Sequence, residues 1–190
     1  MDSLDTTCRY LRESVTLLDD PRLMLVALFH LGERLAREGS AFDAWRAVCR
    51  ADSVLTLMGG TDTQLVTRHR WVKALAFRAS GELAAAESEL MAVRRDLLSN
   101  ELVVPSALAS LDLASVYAAQ QKTEEVKALA QECFAVFTSE GTDSDALVAF
   151  MTFYRAAQAE TLTEALAVKV ANFIARYQHN QSLRYEWSEE

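Results

Sequence analysis

Turn-forming residues are scarce in this sequence, with six glycines and two prolines in 190 residues. That is too few for a sandwich or barrel, whose strands are joined by frequent Gly- and Pro-bearing turns. The three cysteines, Cys8, Cys49 and Cys133, lie far apart with no CxxC pair. Such spacing argues against a disulfide framework and a zinc knuckle, and fits a reducing compartment. Long apolar runs are missing too. The longest, Leu23 to Phe29, is far below the ~20 residues of a membrane-spanning helix. The opening MDSLDTTCRYLRE has neither a basic stretch nor an apolar one, so no secretory signal is expected. The sequon Asn180-Gln181-Ser182 then carries no weight, and a cytoplasmic location is expected.

Positive charge is also in short supply. Nineteen basic residues face 27 acidic ones, a net charge of −8. A duplex binder needs a dense basic face, because phosphate neutralisation supplies most of the affinity. Here the positives are scattered, with small clusters such as Arg68, Arg70 and Lys73. Nucleic acid is excluded as a partner, and an anionic membrane surface is disfavoured on the same ground.

What the chain does have is apolar mass: 51% of its residues are hydrophobic. It can bury a core, and wholesale disorder is excluded. Ala, Leu and Glu dominate, which favours helices. Breakers fall at Asp19-Asp20-Pro21, Gly39-Ser40, Gly59-Gly60-Thr61-Asp62, Ser80-Gly81, Ser99-Asn100, Gln121-Lys122-Thr123, Gly141-Thr142-Asp143 and Glu160-Thr161. Between them apolar residues recur at helical period: Leu25, Leu28, Leu31 and Leu35; Leu83, Ala86, Leu90 and Val93; Val126, Leu129, Cys133 and Phe137. No segment alternates at period two for long. The spacing predicts about nine helices, over 4–19, 22–38, 41–58, 62–80, 82–98, 102–120, 123–139, 143–158 and 162–178. Thr61 or Asp62, Asp143 and Thr161 stand at N-cap positions. The tail 179–190 is expected to fray or lie on the surface.

The helices repeat in pairs. A small residue lies seven before each alternate turn, a large apolar one four before it, and a small or β-branched one five after it. Gly32, Ala74 and Ala114 fill the first place, Leu35, Phe77 and Tyr117 the second, and Ala44, Ala86 and Val126 the third. This pattern resembles the tetratricopeptide repeat (TPR), with Gly32, Ala74, Ala114 and Phe153 at its eighth position and Ala44, Ala86, Val126 and Ala165 at its twentieth. Ala51, Val93, Cys133 and Asn172 take its twenty-seventh. Small side chains are needed there because the two helices of a repeat cross closely. The turn residues Gly39, Gly81, Gln121 and Glu160 are 42, 40 and 39 apart, longer than the family's period of about 34. Phe153 and Gln121 depart from its small residue and its glycine.

The resemblance implies an all-α fold: a right-handed α-solenoid of antiparallel helix pairs in one domain, 1–190. Its repeats would be about 22–58, 62–98, 102–139 and 143–178, preceded by an N-terminal helix 4–19. The stretch from about 66 to 186 also looks like the C-terminal part of TPR-bearing bacterial multidomain proteins. The resemblance further implies a ligand groove on the inner face of each pair's first helix. Carried over by position, that face holds Phe29, Glu33, Arg68, Trp71, Leu75, Arg78, Leu108, Leu111, Ser115, Phe150 and Tyr154, with Val26 beside them. An apolar stripe of that size marks an interface when exposed, and Trp71 and Tyr154 are the residue types that most often carry binding. The Lys and Asn of the family's chaperone-tail clamp are absent, so an acidic C-terminal tail is not the implied ligand.

The expected role is therefore a non-catalytic adaptor or regulatory module, binding a partner peptide or helix by shape and apolar burial. The same stripe at helical spacing also fits a self-filled core or a homodimer seam. The alternative is accordingly a structural subunit, forming a permanent homodimer or packing into a larger bacterial complex, defence- or protease-associated by analogy.

No catalytic or metal pattern competes. His30 and Glu33 share a helix face but lack converging ligands and an HExxH pattern. His69 sits between Arg68 and Arg70, and His179 is in the tail. Cys49 and Cys133 are expected in the core. There is no phosphate loop, GxSxG or nucleophile–base motif; Asp143 and Asp145 read as capping residues. No cofactor, no metal and no enzyme activity are expected.

Overall fold

The structure, a computed structural model, describes Arg9, Glu13, 18–139, 144–177, Asn180 and 182–185. Among these residues there are eight α-helices and no strand: α1 (Pro21–Arg37), α2 (Ala41–Leu57), α3 (Thr63–Ala79), α4 (Leu83–Ser99), α5 (Val103–Ala119), α6 (Thr123–Ser139), α7 (Ser144–Gln158) and α8 (Glu164–Tyr177). They follow the expected spans to within two residues at each end. Most of the expected helix 4–19, with Cys8, the Asp143 cap and His179, lies outside the described residues.

Local chemistry fixes the ends. Asp20 caps α1 by accepting from the backbone N–H groups of Arg22 and Leu23, with Pro21 in the first turn. Of the two residues expected to cap α3, Asp62 does so, accepting from Gln64 and Leu65. The last helix corrects the expectation of Thr161. Thr163 is its cap, its hydroxyl accepting from the Leu166 N–H at 3.2 Å, because α8 begins two residues later than the periodicity suggests.

Helix C-termini share one device. Beyond α1, the Ser40 N–H donates to the Leu35 carbonyl at 2.9 Å and the Gly39 N–H to Ala36 at 3.2 Å. This paired closure turns the chain sharply and satisfies two orphan carbonyls. The same pair recurs beyond α2, α3, α4, α5 and α7. It requires a residue at positive φ. Gly39 and Gly81 supply it without strain, whereas Glu101, Gln121 and Glu160 adopt φ of 59–60° as non-glycines.

The chain divides into two compact units, Met1–Val93 and Arg94–Glu190. In the first, α1, α2 and α3 each pack on the other two. Gly32 in α1 faces α2 and α3, with Ala47 and Val72 as its neighbours. Ala44, Ala74 and Ala86 are fully buried, so the small residues of the repeat pattern sit at helix contacts in this unit. Trp45 meets Phe77 edge-on at 4.8 Å and donates its indole N–H to the Ser80 hydroxyl at 2.9 Å.

In the second unit α5 packs on α6, α6 on α7, α7 on α8, and α8 back on α5. The four helices close into a ring, and among the described residues α5 makes no comparable contact with α7. The triangle of the first unit, in which alternate helices touch, is not repeated. Phe153 is buried on α7, its ring 6.1 Å from that of Phe150. Ala107, Ala109, Ala114, Val126, Ala130, Ala167, Val170 and Ile174 are buried within this unit. No described helix is long and apolar enough to cross a membrane.

Candidate partner-binding face

Helical geometry places Leu23, Val26, His30, Glu33 and Arg37 on one stripe of α1, at successive spacings of three and four. The stripe changes character along its length. At its N-terminal end Leu23 and Val26 are 54% and 43% exposed. Toward its C-terminal end Glu33 accepts from the Arg37 Nε at 3.1 Å and is also paired with Arg68 of α3. The Arg68 guanidinium lies 5.3 Å from the centre of the Trp71 ring, within reach of a cation–π attraction. The first unit thus presents an exposed aliphatic end and an ion-paired polar end on one face.

The other residues of the expected groove in this unit lie deeper. Phe29, Trp71, Leu75 and Arg78 are buried, while Glu33 and Arg68 are half-buried. Phe29 lies 6.2 Å from the His69 ring. His69 contacts the Val48 carbonyl at 3.4 Å through Nε2. Burial lowers its pKa below the ordinary histidine value, and the bond to Val48 opposes the shift only in part. On the adjoining face Glu89 of α4 bridges Arg70 and Lys73, each at 3.2 Å.

In the second unit Leu111, Ser115 and Phe150 are buried, and Leu108 and Tyr154 half-buried. Ser115 donates to the Asp112 carbonyl at 2.6 Å. Phe150 stacks on Phe137 with centroids 4.5 Å apart and lies near Phe134, Phe153 and Tyr154. An aromatic cluster between α6 and α7 therefore takes up much of the stripe that periodicity alone places on a groove. Tyr154 keeps a polar end, its hydroxyl donating to Gln131 at 2.9 Å.

The cysteines divide. Cys133 is buried on α6, and its Sγ lies 3.8 Å from the Ala107 carbonyl. Desolvation raises the thiol pKa to about 11, so it is unreactive at neutral pH. Cys49, expected in the core, is exposed; it lies one position off the Ala44, Ala47, Val48 and Ala51 face of α2 that is buried. Among the described residues no group of three or more His, Cys, Asp or Glu is placed to hold a metal ion.

Of the two exposed aliphatic residues, Val26 stands on the face that the resemblance implies and Leu23 lies outside it. Their signal in the sequence is the run Leu23 to Phe29, which has more apolar positions than one buried helix face can take. No family model matches the chain, and neither a curated protein nor a solved structure matches it.

Proposed function

We propose that this chain is a non-catalytic protein-interaction module of TPR-like repeat design, binding a helix or extended peptide of a partner protein on the α1–α3 face of its first unit. The observation that carries this reading is the α1 stripe, with Leu23 and Val26 open to solvent beside the ion-paired Glu33, Arg37 and Arg68. An amphipathic partner would cover the aliphatic end, and its own carboxylate would compete with Glu33 for Arg68. Arg suits this task because its planar fork can pair with one carboxylate while stacking on Trp71. The buried members of the expected groove, Trp71 foremost, support the face from behind. The solenoid winding, the cytoplasmic setting and the bacterial context belong to the same proposal. Support for the repeat reading comes from the small residues Gly32, Ala44, Ala74 and Ala86, all buried at helix contacts.

The test is affinity capture with the full chain and with Leu23→Asp/Val26→Asp, checked for equal helicity. A partner retained by the native chain and lost by the variant supports the assignment. Equal retention by both ends it. A native chain that runs as a dimer, and the variant as a monomer, would replace a foreign partner by a second copy.

A further inference from the structure

The end of α8 is followed by a turn that sends the chain back over its own hairpin. The Asn180 N–H donates to the Arg176 and Tyr177 carbonyls at 3.1 and 3.2 Å. The Asn180 side chain then accepts from both the backbone N–H and the hydroxyl of Ser182, at 3.1 and 2.6 Å. This side-chain-closed turn directs Arg184 and Tyr185 onto α7 and α8.

Three contacts hold them there. The Tyr185 N–H donates to Asp145 Oδ1 at 3.1 Å. The Arg184 guanidinium donates to Asp145 Oδ2 at 2.7 Å. The Tyr185 ring meets Phe173 edge-on with centroids 4.9 Å apart. One carboxylate on α7 therefore reads a backbone amide and a cation together, and an aromatic side chain on α8 reads the following ring. Asp145 is well set for this, its side chain only 18% exposed while that of Arg184 is 74% exposed. The Tyr185 hydroxyl is enclosed with no hydrogen bond of good geometry, although Thr152 stands close to it. The ring supplies the fit, and the hydroxyl is tolerated at a cost.

We propose that Asp145 and Phe173 form a peptide-binding seat for an extended basic–aromatic pair, and that Arg184 and Tyr185 fill it in cis as a built-in competitor. The seat uses residues of the second unit alone and does not depend on the α1 face. Its ligand class follows from its groups: an arginine or lysine immediately followed by an aromatic residue, bound with its backbone extended. A competing peptide must first displace the chain's own segment, so the intact protein binds it weakly in proportion to the fraction of time the seat is open.

The test uses the full chain carrying Arg184→Ala and Tyr185→Ala, with a fluorescent peptide of the sequence NQSLRYEWSEE, residues 180–190. The variant should bind the peptide about tenfold or more tightly than the native chain. Adding Asp145→Ala to the variant should abolish that gain, and a peptide with Phe for the Tyr should bind at least as well. Equal binding by native chain and folded variant, or binding indifferent to Asp145, overturns the proposal. Hydrogen exchange on the native chain gives a second reading that needs no variant. The Tyr185 amide should be protected, and excess peptide should strip that protection. An amide that exchanges at the unprotected rate, or whose protection excess peptide leaves untouched, equally overturns it.

Discussion

Gly32 and Val72 are in contact across the α1–α3 crossing so closely that a Cβ at position 32 would stand 2.8 Å from Val72 Cγ1 and 3.4 Å from Ala47 Cβ. Val72 is stiff and almost fully buried, so it cannot swing aside. Gly32→Val should therefore destabilise the fold by about 3 kcal/mol, the upper range for overpacking, despite the better helix propensity of valine. Chemical denaturation measures this; a change within 0.5 kcal/mol, the range of ordinary surface substitutions, would mean that the crossing is loose.

Trp71 and Val26 should separate stability from recognition. Trp71 is 7% exposed and lies beneath Arg68, so Trp71→Ala should cost about 3 kcal/mol or more by leaving a large cavity. Val26→Ala, on the open stripe, should shift stability by about 0.5 kcal/mol or less. Thermal melts of the two variants give the comparison. Similar melting points would argue that Trp71 is free to face a ligand.

Gln121 holds a positive φ of 60° at the turn between α5 and α6. Gln121→Gly should raise stability by about 1 kcal/mol, since the left-handed conformation costs a side-chain-bearing residue ~1–2 kcal/mol and glycine gives back part of this in chain entropy. A lower melting temperature for the variant would show that the Gln121 side chain contributes more than its strained backbone costs.

His69 should make the first unit acid-sensitive. Its folded pKa is depressed, chiefly by burial, so the unfolded chain binds the proton more readily. The stability it contributes is complete above the unfolded value near 6.5. It is lost as pH falls from there through the folded pKa. His69→Gln should flatten this part of the stability–pH curve. Identical slopes for both proteins would remove His69 as the cause.

The two described cysteines should react at different rates. In a Cys8→Ser background a thiol reagent should label the exposed Cys49 promptly and Cys133 only on unfolding, because burial holds the Cys133 thiol protonated. Peptide mapping after partial labelling identifies the site; early modification of Cys133 would show that the α5–α6 contact opens readily.

The helices were legible in the sequence because the signals that bound them are local. Asp20 and Asp62 cap by reaching two or three residues along the chain, and the turns at Gly39 and Gly81 need only a residue at ease with positive φ. The small residues were legible as well: Gly32 and Ala74 stand out from the larger apolar residues around them, and each lies at a helix contact. The expected groove was harder to read. An apolar stripe has the same spacing whether it faces a partner or its own core, so Phe150 and Tyr154 look alike in sequence, yet Phe150 is stacked inside an aromatic cluster and Tyr154 reaches out to Gln131.

By itself, then, the chain order of apolar, capping and turn residues determined that this protein is helical and where each rod starts and stops, since those choices are made within a few residues. Tertiary structure alone decided which rods touch. The closure of α8 against α5, the exposure of Cys49 beside the burial of Cys133, and the return of Tyr185 to Asp145 each join or separate residues whose neighbours are set by three-dimensional packing. Helical period fixes the direction in which a side chain points but not what stands opposite it.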